Sequence, residues 1–268
     1  MSKFVITHYE IISEKLNGLE NEKKILFLSD LHNNCYGQKN EKLIQAVYDM
    51  KPEYILIGGD MLVGKADVST EVAEEFVKAI APVCPIYYAN GNHEARMKAY
   101  PQVYGTHIHK YIDKLKEYGV QFLENSHVDL MWEEQRIQIH GLEIPMHCYQ
   151  KFRKVTLSKE EIRACIGDAH EDCFQILLAH NPIFVDTYLD WGADLVLSGH
   201  LHGGLVRLPY FGGIITPQFR LFPKYSGELT VKNGKSVVVS KGLGTHTINI
   251  RFLNPAELIV LHIKGKRT

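Results

Sequence analysis

Five short apolar runs in this chain each lead into a polar motif built from Asp, His and Asn, and that arrangement restricts the fold more than any other feature. Ile25–Leu28 leads into Ser29-Asp30-Leu31-His32, Tyr54–Ile57 into Gly58-Gly59-Asp60, and Ile86–Ala89 into Gly91-Asn92-His93-Glu94. Phe174–Ala179 leads into His180-Asn181-Pro182, and Leu195–Leu197 into Gly199-His200-Leu201-His202. Continuous apolar runs bounded by turn residues read as strands covered on both faces. Residues just past the C-terminal ends of parallel strands meet at one edge of a sheet, where α/β proteins build their sites. Asp, His and Asn gathered there can hold two divalent ions with mixed oxygen and nitrogen ligands.

Between the runs the 3.6-residue period predicts helices over Glu41–Met50, Ser69–Ala81 and Tyr104–Tyr118, the first two stopped by Pro52 and Pro82 and the last by Gly119. Ser158–Ile166 opens with a capping box, Ser158 and Glu161. Phe4–Ile12 and Ile25–Leu28, with Asn17-Gly18 between them, read as an opening pair of strands joined by a turn. Val128–Met131 and Arg136–His140 read as a hairpin. Val206–Leu208, Leu229–Val231, Ser236–Val239 and Leu258–Ile263 complete the strands. Strand alternates with helix in the first half and strands dominate the second, which predicts an α/β fold of two mixed sheets packed together with helices outside. No repeat or linker divides residues 1–268, so a single domain is expected.

A formal net charge of -1 argues against an extended nucleic-acid grip, which needs a basic stripe. The cysteines (Cys35, Cys84, Cys148, Cys165, Cys173) are odd in number and form no CxxC pair, as in a reduced cytoplasmic chain of small apolar thiols. Cys35 and Cys148 lie near the proposed site loops and are expected at the surface. Met1–Leu16 is charged and has no apolar core of a signal peptide. No run of roughly 18 apolar residues exists to span a membrane. The expected location is therefore cytoplasmic, with peripheral membrane contact left open.

The motifs themselves carry chemistry. A carboxylate has two oxygens and can span ions about 3.5–4 Å apart. Two cations that close repel, so an anion must lie between them, a carboxylate or a hydroxide. Neutral Asn and His complete the shells without over-neutralising the pair. A hydroxide held there has a lowered pKa and is a nucleophile at neutral pH, while the ions can neutralise negative oxygens on a bound substrate. His200 and His202, flanked by Gly199, Gly203 and Gly204, can diverge toward different ions if the glycines admit unusual backbone angles.

With these five motifs in this order, the chain resembles the calcineurin-like metallophosphoesterases from about Lys24 onward. A closer likeness is to the bacterial YkuE/YaeI-type phosphohydrolases, carried by Ser198-Gly199-His200-Leu201-His202-Gly203-Gly204, Arg207-Leu208-Pro209, Phe222–Gly227, Lys241-Gly242-Leu243-Gly244 and Phe252–Leu258. Leu201 and Leu205 depart from the Thr and Gln usual there. The resemblance implies a four-layer α-β-β-α sandwich and a metal-dependent hydrolase of phosphoric ester or phosphoanhydride bonds. It implies that Asp30, His32 and His202 hold one divalent ion, Asn92, His180 and His200 the other, and that Asp60 bridges both. His93 takes the place of the histidine that assists the leaving group. Mn, Fe, Zn, Ni and Co all tolerate such ligands. The implied substrate is a small-molecule or lipid-linked phosphoester, opened as a phosphodiesterase or pyrophosphatase would; a cyclic-nucleotide or nucleic-acid phosphodiesterase, or a metal-free interaction module on the same fold, are the alternatives.

Discrimination between substrates needs contacts beyond phosphorus. Leu142–Thr156 and Pro209–Pro223 fit no core element, and long irregular loops beside a site carry specificity. Arg96, His147, Arg207, Arg220, Lys224 and Tyr225 are the residues expected to meet the substrate, the cations at phosphate oxygens and the ring at an apolar group.

Overall fold

The computed structural model describes residues 3–150, 155–204, 206–208, 212–215, 223–245, 251 and 253–266. In chain order the elements are β1 (Phe4–Ser13), β2 (Lys23–Leu28), α1 (Glu41–Met50), β3 (Tyr54–Ile57), α2 (Glu71–Ile80), β4 (Ile86–Tyr88), α3 (Asn92–Ala99), α4 (Pro101–Tyr104), α5 (His107–Glu117) and β5 (Gln121–Phe122). Then follow β6 (Ser126–Trp132), β7 (Gln135–Leu142), α6 (Lys159–Ile166), β8 (Phe174–Ala179), α7 (Val185–Trp191) and β9 (Leu195–Ser198). The described elements end with β10 (Val206–Leu208), β11 (Gly212–Ile215), β12 (Glu228–Lys232), β13 (Lys235–Val239) and β14 (Ala256–Gly265).

Two mixed sheets form, in the orders β1-β14-β2-β3-β4-β5 and β12-β13-β9-β8-β7-β6. Successive side chains of a strand point to opposite faces. Leu26 and Leu28 of β2 therefore pack with Leu43, Val47, Phe76, Val77 and Ile108 from α1, α2 and α5. Ile25 and Phe27 point the other way and meet Phe174, Ile176, Leu178, Leu195 and Leu197 of the second sheet. Beyond that sheet, Leu177, Val196, Val237 and Val239 pack with Ile162 and Ile166 of α6 and Val185, Tyr188 and Leu189 of α7. The result is four layers, helix, sheet, sheet, helix. Emptying the space between the sheets by Phe27→Ala would cost about 3–5 kcal/mol.

The opening strands do not pair with each other. β14 lies between them, parallel to β1 with Phe4 opposite Ala256 and antiparallel to β2 with Phe27 opposite Ile259. Burial explains the order. Leu258 and Val260 of β14 face the helices while Ile259, Leu261 and Ile263 face the second sheet, so β14 needs cover on both sides. β1 leaves Val5, Ile6 and Ile12 exposed and takes the edge.

The helix expected over Tyr104–Tyr118 is also divided. Pro101 opens α4, and Gly105, at φ +75°, turns the chain before α5 starts at His107. The segment Pro209–Pro223, expected to lack regular structure, contributes β11, which pairs with β10 apart from both large sheets. Within Leu142–Thr156, Met146–Tyr149 forms a single 3₁₀ turn. Cys35 is exposed as expected, but Cys148 is buried in the α6–α7 core, because this turn folds it inward. Among the described residues no helix is long and apolar enough to cross a membrane.

Candidate metal centre

The C-terminal ends of β2, β3 and β4 in one sheet and of β8 and β9 in the other lie together, and their polar loops interlock. Asp30 N–H donates to Gly59 O (2.9 Å) and His32 N–H to Asp60 O (3.1 Å), which joins two loops of the first sheet. Gly199 N–H donates to His180 O (3.1 Å) in the second. The sheets are then stitched together by His180 Nδ1 on Gly58 O (2.7 Å) and by the His200 amide on both Asp30 carboxylate oxygens (3.1 Å each). This approach needs glycine. A Cβ on Gly199 would lie 2.1 Å from Ser29 Oγ, and one on Gly91 2.1 Å from Asp60 Oδ1. Asp30, His32, Asp60, His200 and His202 all adopt positive φ, between 48° and 70°. Non-glycine residues hold such angles where the surrounding structure over-determines them, most often at functional sites.

Among the described residues three sets of donor atoms result: Asp30, His32 and His202; His32, Asp60 and His93; and Asp60, His180 and His200, each set within 4.8 Å. Asp60 belongs to two of them. Its Oδ1 is tied down by the His93 amide (2.8 Å), while Oδ2 faces His180 Nε2 (3.0 Å), His93 Nε2 (3.8 Å) and His32 Nε2 (4.0 Å). Asn92 Oδ1 is buried and has no hydrogen-bond partner among the described residues. An acceptor left bare inside a protein is costly unless something else occupies its lone pairs. Together with the mixed carboxylate, imidazole and amide donor set, it fits a divalent cation.

Tautomers separate the histidines. His32 Nδ1 faces Leu62 O (3.1 Å), His180 Nδ1 faces Gly58 O (2.7 Å) and His202 Nδ1 faces Gly244 O (2.9 Å). A carbonyl only accepts, so each Nδ1 carries a proton, and in the neutral ring each Nε2 lone pair points into the cluster, as outer partners of metal-bound imidazoles arrange. His93 is the reverse. Gly64 N–H donates to its Nδ1 (2.6 Å), so the neutral ring carries its proton on Nε2. That nitrogen is a donor and offers no lone pair to an ion.

Charge follows the same geometry. Burial works to raise the Asp30 carboxyl, but His202 and His180 beside it hold it below the usual range. Asp60 is likewise held well down against burial, by His180 and His93. Burial works to lower His180, yet Asp60 and Asp30 push it up to about 10. Burial and the neighbouring His180 keep His200 far below its ordinary value, so it is neutral, as ligation requires.

Two site residues were not assigned from sequence. The Glu94 carboxylate, fully buried, accepts the amides of Asp60 (2.8 Å), Met61 (2.8 Å), Leu62 (3.2 Å) and Gly91 (3.1 Å) and the Tyr88 hydroxyl (3.1 Å), which fixes the Asp60 loop. Its place in Gly91-Asn92-His93-Glu94 was the available signal. Tyr149 sets its ring edge-on to that of His200, centroids 5.4 Å apart. No local pattern marks it.

The residues expected at the substrate are scattered. Lys224 bonds both Asp186 oxygens (3.0 and 2.8 Å), and Tyr225 is buried in the α6–α7 core with its hydroxyl on the same carboxylate (2.9 Å). Asp186, at the start of α7, engages both residues expected at the substrate. His147 is exposed, its Nε2 3.6 Å from Cys148 Sγ. Arg96 is half-buried on α3, the helix that begins at Asn92. Arg207 lies in β10 with its side chain outside the described residues, and Arg220 lies outside them altogether.

The sequence profile of the calcineurin-like phosphoesterases matches residues 23–204. The chain is similar to an uncharacterized metallophosphoesterase of Aquifex aeolicus (26% identical over 263 residues, 97% of this chain and 92% of that protein). It is similar to the uncharacterized metallophosphoesterase YkuE of Bacillus subtilis (26% over 248 residues, 90% and 79%) and to the phosphodiesterase YaeI of Escherichia coli (24% over 243 residues, 88% and 82%). Among solved structures, the phosphopantetheinyl hydrolase PptH of Mycobacterium tuberculosis shares the fold, with a TM-score of 0.51 and 13% identity over 84% of this chain and 92% of that one.

Proposed function

The chain belongs to the calcineurin-like phosphoesterase family and is a metallophosphoesterase, and from that premise we propose that it hydrolyses a phosphodiester or phosphoanhydride with two divalent ions bound at the interlocked loops. Asp30, His32 and His202 would hold one ion, Asn92, His180 and His200 the other, with Asp60 shared. The observation that carries this reading is that Asp60, a member of the donor set with His180 and His200, also turns Oδ2 toward His32 Nε2 (4.0 Å) of the set with Asp30 and His202. Bound there, the ions supply an acidified water and neutralise phosphoryl oxygens.

The remaining work falls to the chain. His93 holds its proton on Nε2, 3.8 Å from Asp60 Oδ2 and so beside the reacting centre, where it donates to the departing oxygen. Ser29 Oγ (2.6 Å) and the His200 amide orient the Asp30 carboxylate. The name of YaeI, a phosphodiesterase, and that of PptH, a phosphopantetheinyl hydrolase, support a diester or anhydride with a sizeable organic group over a simple monoester. The substrate is read as a small-molecule or lipid-linked phosphoester, handled by one domain in the cytoplasm or at a membrane surface.

Metal-stripped protein reloaded with Mn, Fe, Zn, Ni or Co and assayed on bis(p-nitrophenyl) phosphate and p-nitrophenyl phosphate tests the proposal. Activity on the diester that tracks the second equivalent of metal is expected. Full activity with one ion, or wild-type turnover and two ions in Asp60→Asn, would overturn it.

A further inference from the structure

The sequence singles out Lys241-Gly242-Leu243-Gly244 and the stretch around Asn254, neither of which contributes a candidate ligand. In the structure the first is a turn pressed against the metal loops. Leu243 N–H donates to Ser29 O (3.1 Å) and Gly244 N–H to Asp30 O (2.6 Å). Gly242, at φ +70°, lies so near that a Cβ would come 2.8 Å from Asp30 Cβ and 3.2 Å from His202 Nδ1. Gly244 O takes the His202 Nδ1 proton (2.9 Å). The orientation of the His202 ring thus depends on where this turn holds one carbonyl.

Side chains brace the turn. Asn34 Nδ2 (3.0 Å) and the Tyr36 hydroxyl both bond Leu243 O. The half-buried Arg251 guanidinium reaches both ends: Nη1 donates to Lys241 O (2.7 Å), and Nη2 to Gly242 O (3.2 Å) and Gly244 O (2.7 Å). Gly244 O therefore accepts from Arg251 and His202 together. A planar guanidinium presents its donors in a fixed fork, which a lysine ammonium cannot reproduce. From the other side, Asn254 Nδ2 holds His202 O (2.6 Å) and Gly204 O (2.7 Å).

We propose that Arg251 is a positioning residue for His202: by clamping three carbonyls of the 241–244 turn it sets the Gly244 oxygen that fixes the tautomer and aim of the imidazole, and so the affinity of one of the two metal positions. The proposal rests on the two-ion reading above. It predicts an asymmetric defect. Partners behind a metal-bound histidine contribute about 10–100-fold to metal affinity, and here the loss falls on the ion held by Asp30, His32 and His202, leaving the ion at His180 and His200 in place.

Mn(II) titration of the metal-free protein, followed by electron paramagnetic resonance, reads this directly. Wild type should fill to a spin-coupled pair. Arg251→Lys, which keeps the charge and loses the fork, should show an uncoupled single-ion signal over a wide range of added Mn(II), with the weaker site shifted about 10–100-fold. Arg251→Ala should behave likewise and regain coupling when guanidinium ion is supplied at concentrations that leave its circular dichroism unchanged. Two ions bound by Arg251→Lys with wild-type affinity would overturn the role of Arg251 alone. Equal weakening of both ions would also overturn it, since that marks general loosening. A wild-type protein that never forms the coupled pair would overturn the two-ion reading and this inference with it.

Discussion

The amide of Gly64 donates to Nδ1 of His93 across 2.6 Å, which places the imidazole proton on Nε2. His32, His180 and His202 are arranged the other way, each sending Nδ1 toward a carbonyl. His93→Ala is therefore expected to keep two metal equivalents and lose about 10²–10⁴-fold in kcat. The deficit should grow as the leaving alcohol becomes more basic, because only a basic leaving oxygen needs a proton. Metal analysis together with a leaving-group series checks both halves; loss of an ion in the mutant would make His93 a ligand instead.

Metal uptake should expel protons. Asp60 and Asp30 raise His180 to about 10 against the opposing effect of burial, and His32 is raised by the same carboxylates. A histidine raised in the metal-free protein holds its proton between its ordinary value and its shifted one, and must lose it to ligate. Affinity should thus increase with pH across roughly 6.5 to 10, with about one proton or more released per pair of ions near pH 7. Calorimetric titrations in buffers of differing ionisation heat read the number. Heats independent of buffer would sink the prediction.

Glu94→Gln should damage the site without touching an ion. Each Glu94 oxygen receives two backbone amides, and Oε1 the Tyr88 hydroxyl as well. A carboxamide turns one of those oxygens into a donor facing donors. Unsatisfied buried groups cost about 1–3 kcal/mol each, so about 2–4 kcal/mol of stability should go, with weaker metal binding as the Asp60 loop loosens. Tyr88→Phe, which removes a single bond, should cost about 1 kcal/mol. Urea unfolding of the metal-free proteins compares them, and equal midpoints for Glu94→Gln and wild type would refute the clamp.

These loops were largely legible in the sequence because strands covered on both faces must be apolar throughout, so each run ended where Asp30, Asp60, Asn92, His180 or His200 began. The capping box at Ser158 and the hairpin around Glu133-Glu134 were legible for local reasons of the same kind. What stayed hidden was set over long separations. Nothing near Phe4 states that its neighbour is Ala256, and nothing near Arg251 states that it will hold Gly244. The short α7 was missed because seven residues after Asn181-Pro182 give too little periodicity to see. Glu94 was visible but ambiguous, since a Glu in the first turn of a helix caps as readily as it braces a loop.

Substrate selection should run through Tyr149 and not through Lys224. Lys224 is committed to Asp186, which also binds Lys232 (3.0 Å) and the Tyr225 hydroxyl, and that carboxyl sits at about 2 under their pull, Lys224 first. Tyr149 instead stands half-buried over His200, on the turn that leads toward Lys151–Lys154. Burial and the neighbouring Tyr188 keep its phenol protonated far above the usual range, so it is a lasting donor as well as an apolar wall. A group that touches the organic part of a substrate lowers KM only for substrates that possess that part. Tyr149→Ala should accordingly raise KM for a diester with a large aryl or acyl group more than for a methyl ester, with both ions retained. Tyr149→Phe should keep most of the wall and lose only the donor, a smaller effect. Lys224→Ala should leave both KM values near wild type. The reverse ranking, with Lys224 controlling the large substrate and Tyr149 neither, would return discrimination to the stretch between Arg207 and Tyr225.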